Sequence, residues 1–351
     1  MTATLLIRPD ASLESGAGHL MRCLTLADAL AARGWQAHFA CSAAPGFDFS
    51  LIARRGHHLH QLPPLSSWSE DAQAIAALVR QLEPFWLLVD HYGLDARWER
   101  ACGQPVGQIC VIDDLADRPH DCALLFDSGI HRQAEAYAGH VTGTCRLFCG
   151  PDFALLRPAF ASLRPESLER RAEAPGPQRL LLAMGGVDAD NVTGRVLDVI
   201  GPVLEQHPLA LDVVLGRSAP HRAAIEAGLA SAGFTARLHV DLPDLASLMA
   251  QSDIAIGASG GTALERLCLG LPSLVLSLAD NQPPAARAIM DFGAGIYAGD
   301  VREPGWQDRL HTGLEGWLAD PAVLPTVSAL AGALVDGHGA KRIAEVLHAR
   351  V

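Results

Sequence analysis

The sequence predicts an α/β protein built from two doubly wound, Rossmann-like domains. Short apolar runs alternate with helix-periodic runs along both halves of the 351-residue chain. A glycine-rich turn also follows an apolar run near the start of each half, at 16–18 and at 185–186. Alternating strands and helices favour a parallel sheet with helices on both faces. A chain of this length allows two domains that each bury a core.

Apolar and helical periodicity place the elements of the first half. The predicted strands lie at 3–7, 36–41, 85–89, 108–112 and 123–126, and the predicted helices at about 20–33, 70–82 and 98–101. Parallel sheets of this kind bind ligands at the carboxyl ends of their strands. The polar residues that follow each strand are therefore the candidates for a site.

The second half repeats the same order of elements after a change in composition. Charged residues and prolines without an apolar period predict a linker at 164–177. The predicted domains are consequently 1–163 and 178–339, with a terminal helix at 340–351 that we expect to pack back on the first domain. Strands at 180–183 and 211–215, a helix from about 191 and a turn and helix at 241–250 open the second domain.

Charge and composition exclude several classes of protein. Hydrophobic residues make up 49% of the chain and charged residues 19%, which is typical of a globular protein. The formal net charge is −12 and Lys341 is the single lysine, so a nucleic-acid partner is not expected. A small ligand carrying a few phosphates stays possible, because glycine loops and single arginines can hold it locally.

Cysteine, histidine and N-terminal patterns bear on compartment and metals. The eight cysteines show no Cys-x-x-Cys spacing, so we expect a reducing, cytoplasmic compartment. The N-terminus lacks the pattern of a signal peptide, and no apolar run reaches eighteen residues, so we expect no membrane span. The histidines at 57, 58 and 60 lack the helical spacing of a zinc site, and we expect no metal.

The first glycine turn leads into a helix that carries a histidine at its start. Gly16 and Gly18 allow a tight turn and a close approach of the backbone to a ligand, with unpaired N–H groups at the helix N-terminus. The positive end of the helix dipole disfavours imidazolium, so we expect His19 to be neutral and able to accept a proton from water. The alternative is an ordinary βα loop that contains a histidine.

Carboxylates and a tyrosine follow three of the predicted strands. Asp113 and Asp114 form a pair that could perform acid–base chemistry or hold a partner. Asp95 and Asp127 are as well explained as caps of the turns or helices that follow them. Tyr92 brings a hydroxyl to the edge of the sheet where His19 is expected, and could orient a sugar or phosphate oxygen. Its alternative interpretation is a half-buried tyrosine with a solvated tip.

The strand and loop at 253–265 carry the densest signal of the chain. Backbone N–H groups of Gly260, Gly261 and Thr262 at a helix N-terminus could bind a diphosphate without a lysine. Glu265, one turn into the helix, could accept hydrogen bonds from ribose hydroxyls. The run matches neither the P-loop nor the dinucleotide fingerprint. We therefore expect the diphosphate here, which leaves the first loop for the sugar side of a cleft between the domains.

These motifs in their order resemble those of a known group. The glycine loop in each half, Gly-Ala-Ser-Gly-Gly-Thr-Ala-Leu-Glu at 257–265, Gly-Leu-Pro-Ser at 270–273 and Asn-Gln at 281–282 resemble GT-B glycosyltransferases. The runs at 8–10, 16–23, 90–95, 112–118, 155–158, 184–188 and 279–282 look more narrowly like those of the UDP-sugar hydrolases of pseudaminic acid biosynthesis. This second resemblance covers nearly the whole chain.

The resemblance implies a GT-B-like fold and the hydrolysis of UDP-2,4-diacetamido-2,4,6-trideoxy-β-L-altropyranose to UDP and the free sugar. The reaction would invert the anomeric carbon and need no metal or other cofactor. His19 would be the base that activates water, with Tyr92 and Asp10 positioning the sugar or the base, although Pro9 departs from the family pattern beside Asp10. The substrate-binding residues carried over are Gly16, Gly18, Arg22, Gly185, Gly186, Ser259, Gly260, Gly261, Thr262, Glu265, Asn281 and Gln282.

Two other functions are compatible with such a fold. A UDP-sugar-dependent glycosyltransferase would use the same nucleotide site, but it would need an acceptor cleft, often with an apolar or basic membrane-facing patch, and the first half shows no such patch. A sugar-nucleotide binding protein without hydrolytic activity would have no use for a neutral histidine beside the leaving group. The predicted partner is in each case a small-molecule UDP-sugar.

Overall fold

The computed structural model describes residues 3–10, 18–42, 47–173 and 176–350. The chain divides into two units. Unit 1 comprises Met1–Leu156 together with His338–Val351, and unit 2 comprises Arg157–Gly337. Each unit contains one sheet in which the described strands pair in parallel. The predicted α/β fold with two doubly wound sheets is confirmed.

The strands and helices alternate along most of the described chain. The strands are β1 (Thr4–Pro9), β2 (Gln36–Ser42), β3 (His58–Leu62), β4 (Trp86–Asp90), β5 (Ile109–Ile112), β6 (Leu124–Asp127), β7 (Arg146–Cys149), β8 (Arg179–Ala183), β9 (Ala210–Leu215), β10 (Ala236–Val240), β11 (Ile254–Ala258), β12 (Ser273–Ser277) and β13 (Gly295–Asp300). The α-helices are α1 (Gly18–Ala31), α2 (Ser50–Arg54), α3 (Trp68–Leu82), α4 (Ala96–Ala101), α5 (Pro158–Glu173), α6 (Val192–Leu204), α7 (Arg222–Ala230), α8 (Leu245–Gln251), α9 (Gly261–Cys268), α10 (Pro283–Asp291), α11 (Trp306–Ala319), α12 (Leu324–Leu334) and α13 (Gly339–His348). Short 3₁₀ helices lie at Val106–Gln108, Ala134–Tyr137, Pro151–Phe153 and Pro321–Val323.

The sheet of unit 1 places the ends of β1 and β4 side by side. Its strand order is β3-β2-β1-β4-β5-β6-β7, so the direction of winding reverses between β1 and β4. Pro9 pairs with Asp90 in the register of these two strands. Open α/β sheets bind ligands at such a switch point, beyond the carboxyl ends of the strands. The residues that follow Pro9 and Asp90 are therefore the ones that this unit offers to a ligand.

Apolar residues on both faces of the sheet form the core of unit 1. Leu5, Leu6 and Ile7 are fully buried, as is typical of a parallel strand covered by helices on both sides. Helix α13 packs against α1, and its Leu347 carbonyl accepts a hydrogen bond from the indole of Trp86 at 3.1 Å. The C-terminal helix is thus part of this core.

The sheet of unit 2 repeats the arrangement. Its strand order is β10-β9-β8-β11-β12-β13, which puts the switch point between β8 and β11. Ala183 and Gly257 are paired in the register of these strands. The loop after β8, with Gly185 and Gly186, and the loop that leads from β11 into α9 are therefore neighbours at one edge of this sheet.

The segment 164–177, which the sequence predicts to be a linker, is helical as far as Glu173 because α5 runs through it. Its arginines donate hydrogen bonds to other parts of unit 2. Arg171 is 4% exposed and donates to the carbonyl oxygens of Met249, Ser252 and Leu269. Tertiary contacts thus hold this helix despite Pro165 in its interior. The prediction failed because a buried arginine and a solvated linker arginine look alike in sequence.

We expect Arg171→Met to destabilise unit 2 strongly. The substitution removes the cation and leaves buried carbonyl oxygens short of donors, which costs about 3 kcal/mol. Urea unfolding measures this change in the free energy of unfolding. Arg222→Met is the matched control, because Arg222 is exposed and reaches Glu226 only at 3.9 Å, so its loss should cost below about 0.5 kcal/mol. Equal destabilisation by the two variants would contradict this assignment.

No single helix in the described ranges combines the length and apolar character needed to cross a membrane, and one sharply bent pair of helices meets that test only when both are counted together.

Candidate functional site

A histidine and an aspartate meet at the switch point of unit 1. Gly16 lies outside the described residues, whereas Gly18 begins α1 and His19 occupies its first turn. His19 is 5% exposed, and its Nδ1 lies 2.6 Å from Oδ1 of the fully buried Asp90. The sheet topology brings the two residues together, since His19 begins the helix after β1, Asp90 ends β4, and these two strands are paired.

Arg22 fixes the charge of this aspartate. Its Nε donates to Asp90 Oδ2 at 2.6 Å, and its Nη1 donates to Asp114 Oδ2 at 2.8 Å. Burial alone would raise the pKa of Asp90, but the Arg22 guanidinium and His19 outweigh burial and hold that pKa well below its usual range. Asp90 is therefore a carboxylate at neutral pH. Arg22, predicted as a substrate-binding residue, is engaged by two carboxylates of its own unit.

The hydrogen bond to Asp90 defines what His19 can do. An ionised carboxylate is an acceptor only, so Nδ1 of His19 carries the proton that it donates to Asp90. In the neutral form of the ring, the other nitrogen, Nε2, then holds a lone pair. A neutral imidazole oriented in this way can take a proton from a water molecule or a hydroxyl group.

Tyr92 and Asp10 flank the pair. The Tyr92 ring lies edge-on to the His19 ring with 4.5 Å between the ring centroids. Burial and then the Asp114 carboxylate raise the pKa of Tyr92, so the phenol is protonated at neutral pH. The backbone N–H of Asp10 donates to the Asp90 carbonyl oxygen at 2.6 Å. Both predicted residues thus lie at the switch point, where Tyr92 restricts the imidazole.

The two adjacent aspartates after β5 have separate partners. Asp114 accepts from Arg22, whereas Asp113 lies 2.9 Å from Arg118 and accepts from the Tyr137 hydroxyl at 2.9 Å. Asp113 is therefore not paired with Asp114 for acid–base chemistry. The capping interpretation of Asp95 is confirmed, because this residue is the N-cap of α4 and accepts from the N–H of Arg97.

In unit 2 the N-terminus of α9 follows directly after β11. Gly260 is the N-cap of α9 and has no side-chain cap, and a side chain added to Gly261 would meet nothing within 4 Å. The first N–H groups of a helix lack intrahelical acceptors, so an uncapped turn at the end of a strand can accept an anion. This geometry suits the diphosphate predicted for residues 260–262.

The neighbouring predicted residues divide into loop supports and exposed groups. Ser259 is 6% exposed and its hydroxyl faces the Leu276 carbonyl oxygen at 3.2 Å, so its side chain stabilises the loop. Gln282 accepts from the N–H of Leu278 at 2.9 Å and closes the turn before α10, while Asn281 is exposed. The Thr262 hydroxyl accepts from Arg266 at 3.3 Å.

Glu265 and Arg266 lie one turn into α9 with different surroundings. Burial raises the pKa of Glu265, and Arg157 lies 3.9 Å from its carboxylate. Arg266 is 1% exposed and donates to the Ala258 carbonyl oxygen at 2.7 Å. This hydrogen bond stabilises the loop between β11 and α9. The absence of a side chain at Gly257 leaves room for Arg266, because a Cβ there would lie 2.5 Å from the Arg266 guanidinium.

The glycine turn after β8 packs on the end of β9. Gly185 has a φ of +129°, a conformation that side chains disfavour, and a Cβ at Gly186 would meet nothing within 4 Å. A Cβ at Gly216 would lie 1.9 Å from the Gly186 carbonyl oxygen. Gly216 thus sets the position of the 185–186 turn.

We expect Gly216→Ala to displace this turn, since the clash is with backbone and a side-chain rotation cannot relieve it. The free energy of unfolding should fall by about 2 kcal/mol and the affinity for UDP by about tenfold. Urea unfolding and calorimetric titration with UDP measure the two effects. Gly228→Ala is the control, because a Cβ at Gly228 in α7 meets nothing within 4 Å and should stabilise by roughly 0.5 kcal/mol. Unchanged UDP affinity in Gly216→Ala would contradict a role for this turn in binding.

Sequence reasoning missed three residues of these sites. Asp90 belongs to the run at 90–95 that follows a predicted strand, but the sequence assigns it no role of its own, although an aspartate that ends a buried apolar strand is a detectable signal. Arg266 was overlooked because charged residues in a short helix are expected to face solvent. Gly216 carried a weak signal as a glycine directly after a strand. In the described part of the chain, no group of three or more His, Cys, Asp or Glu residues is arranged to hold a metal ion.

Comparisons with known proteins agree with this architecture. No family model matches the chain. The spore coat polysaccharide biosynthesis protein SpsG of Bacillus subtilis is 30% identical over 160 residues, which span 46% of this chain and 46% of that protein. The UDP-2,4-diacetamido-2,4,6-trideoxy-beta-L-altropyranose hydrolase of Campylobacter jejuni is 24% identical over 282 residues, which span 80% of this chain and 94% of that protein.

A solved structure supports the fold over the full length. Acinetobacter baumannii MurG superposes with a TM-score of 0.72 and 14% sequence identity, covering 99% of this chain and 100% of that chain. The chain therefore has the GT-B fold, with one parallel sheet in each unit. At 14% identity this likeness shows the fold alone. The reaction has to be inferred from the residues of the candidate site.

Proposed function

We propose that this protein is a UDP-sugar hydrolase that cleaves UDP-2,4-diacetamido-2,4,6-trideoxy-β-L-altropyranose into UDP and the free sugar. The observation that carries the proposal is the contact of His19 with Asp90 at the switch point of unit 1, with Nδ1 and Oδ1 2.6 Å apart. This contact orients a base, and a base that activates water is what a reaction with a good leaving group such as UDP requires.

The relatives support the class of substrate. The Campylobacter jejuni protein is named as a hydrolase and its match to this chain spans 94% of its length, and the Bacillus subtilis protein is named for polysaccharide biosynthesis. Their sequence identities to this chain are 24% and 30%, respectively. The choice of sugar therefore rests on the Campylobacter jejuni relative and on the shared motifs.

In the proposed reaction His19 removes a proton from water as the water oxygen attacks the anomeric carbon. The proton moves to Nε2 and the imidazole becomes positive. The Asp90 carboxylate, which accepts from Nδ1, stabilises that charge, while Arg22 and Tyr92 keep the carboxylate and the ring in place. Attack from the side opposite the leaving group inverts the anomeric carbon.

Unit 2 supplies the nucleotide site in this proposal. The bond from the anomeric carbon to the phosphate oxygen breaks, and the diphosphate keeps the electron pair. The uncapped N–H groups of Gly261 and Thr262 at the start of α9 meet the negative charge that develops there. Glu265 accepts from the ribose hydroxyls, and the turn at 185–186 gives the backbone room to approach the phosphates.

The direct test is to incubate the protein with this UDP-sugar in the absence of any acceptor and to follow products by proton NMR. We expect UDP and the free sugar in equal amounts, with the first sugar formed in the inverted anomeric configuration. A glycosyltransferase would release UDP only after an acceptor alcohol is added. That outcome would overturn the hydrolase proposal and favour the transferase alternative.

A further inference from the structure

Two cysteines lie in contact near the edge of the unit 1 sheet that β7 forms. Cys122 directly precedes the segment that leads into β6, and Cys145 directly precedes β7. Their Sγ atoms are 3.6 Å apart although the residues are 23 positions apart in the sequence. Cys122 is buried, whereas Cys145 is partly exposed. One partner of this contact is thus partly exposed and the other is buried.

We propose that Cys122 and Cys145 form a reversible disulfide that locks the segment between β6 and β7. The inference stands apart from the proposed hydrolase reaction. It rests on the contact between the two sulfur atoms, on the partial exposure of one of them, and on what the enclosed segment touches.

The environments of the partly exposed cysteines favour Cys145 as the attacking thiolate. The hydrogen bond with Cys122 lowers the pKa of Cys145, whereas burial raises the pKa of Cys149 to about 11. A thiolate, and not a thiol, is the nucleophile in disulfide exchange. Cys145 therefore reacts first, and Cys122 is already in contact with it as the resolving thiol.

Glutathione disulfide is an oxidant that balances the chemistry. The Cys145 thiolate attacks one sulfur of glutathione disulfide, forms a mixed disulfide and releases one glutathione thiolate. Cys122 loses its proton to solvent, and its thiolate attacks Cys145 Sγ and releases the second glutathione. Two cysteine thiols are oxidised to one disulfide, and one glutathione disulfide is reduced to two molecules of glutathione.

The enclosed segment explains what the disulfide would stabilise. The Tyr137 hydroxyl lies 2.7 Å from the Asp127 carboxylate and 2.9 Å from the Asp113 carboxylate. Arg132 donates a hydrogen bond to the Asp114 carbonyl oxygen at 2.9 Å. These contacts brace the loop after β5. Closing the segment with a covalent link reduces the entropy of the unfolded chain, so oxidation should stabilise unit 1.

The test is oxidation of the full chain with glutathione disulfide, followed by alkylation, digestion and mass spectrometry. We expect a peptide pair joined through Cys122 and Cys145, and a melting temperature about 5 °C above that of the reduced protein, reversed by dithiothreitol. Cys149→Ser is the matched control and should retain both effects. Cys145→Ser should lose both and fold normally, because this side chain is partly exposed.

Three results would overturn the proposal. The first is stable glutathionylation of Cys145 without any link to Cys122. The second is a link from Cys145 to Cys149, which Cys149→Ser would abolish. A melting temperature that rises equally in Cys145→Ser would also contradict it, since the stabilisation would then come from another group.

Discussion

His19→Ala should lose about 10³–10⁴-fold in kcat for the UDP-sugar while binding UDP as tightly as the wild type. General-base catalysis contributes up to about 10⁴-fold, and the contact with Asp90 orients His19, the proposed base. The proposed nucleotide site is formed by residues of unit 2, so removal of an imidazole from unit 1 should leave it intact. Initial rates of UDP release and calorimetric titration with UDP measure the two quantities.

Chemical rescue makes this prediction specific. His19 is 5% exposed, so removal of its imidazole should leave a cavity of imidazole shape beside Asp90. Added imidazole should restore part of the rate in His19→Ala in a concentration-dependent manner. His58→Ala is the control, because His58 is an exposed residue of β3 and its loss should leave the rate unchanged. Normal turnover by His19→Ala would remove this residue from the mechanism.

Asp90→Asn should reduce kcat by about 10³-fold or more with little change in KM. An asparagine amide can donate to Nδ1 of His19, which stabilises the tautomer that carries its proton on Nε2 and can no longer accept one. Loss of an aspartate that orients a catalytic histidine costs about 10⁴-fold in other enzymes. Asp95→Asn is the matched control, since asparagine caps a helix as well as aspartate and Asp95 caps α4.

The same substitution should change how stability depends on pH. Arg22 and His19 outweigh the effect of burial and hold the pKa of Asp90 below its usual range. A carboxyl group with a lowered folded-state pKa contributes stability above its unfolded pKa of about 3.9 and loses it as the pH falls through the folded value. Asp90→Asn should therefore be less stable than wild type at pH 7, by roughly 3 kcal/mol, with a gap that narrows below about pH 4. A gap that stays constant down to pH 2 would contradict the assignment.

Local sequence patterns were sufficient to predict the inner strands of both sheets, whereas the edge strands β3, β7, β10 and β13 were not predicted. The buried run of β1 and the helix that follows it were predicted because apolar residues recur with clear periods. The contact of His19 with Asp90 could not be predicted in the same way, because the two residues are 71 positions apart and meet only through the pairing of β1 with β4. Strand order is a tertiary property that no local pattern contains.

Buried charges account for the remaining differences. Residues 164–173 of α5 fall within the predicted linker because charged residues and prolines there show no apolar period, yet Arg171 is buried and donates to carbonyl oxygens at the ends of α8 and α9. Arg266 is a similar case beneath the loop that begins α9. In each case the carbonyl oxygens that accept from the arginine are brought to it by folding, so its burial follows from the tertiary structure.

Hydrolysis of the UDP-sugar in ¹⁸O-labelled water tests the central claim most directly. Attack of water on the anomeric carbon predicts that the released UDP has its normal mass and that the free sugar carries the label at early times, beyond the slow exchange measured for the unlabelled sugar alone. Label in the β-phosphate of UDP would show that water attacks phosphorus. That result would contradict the role of His19 as the base that activates water at the anomeric carbon.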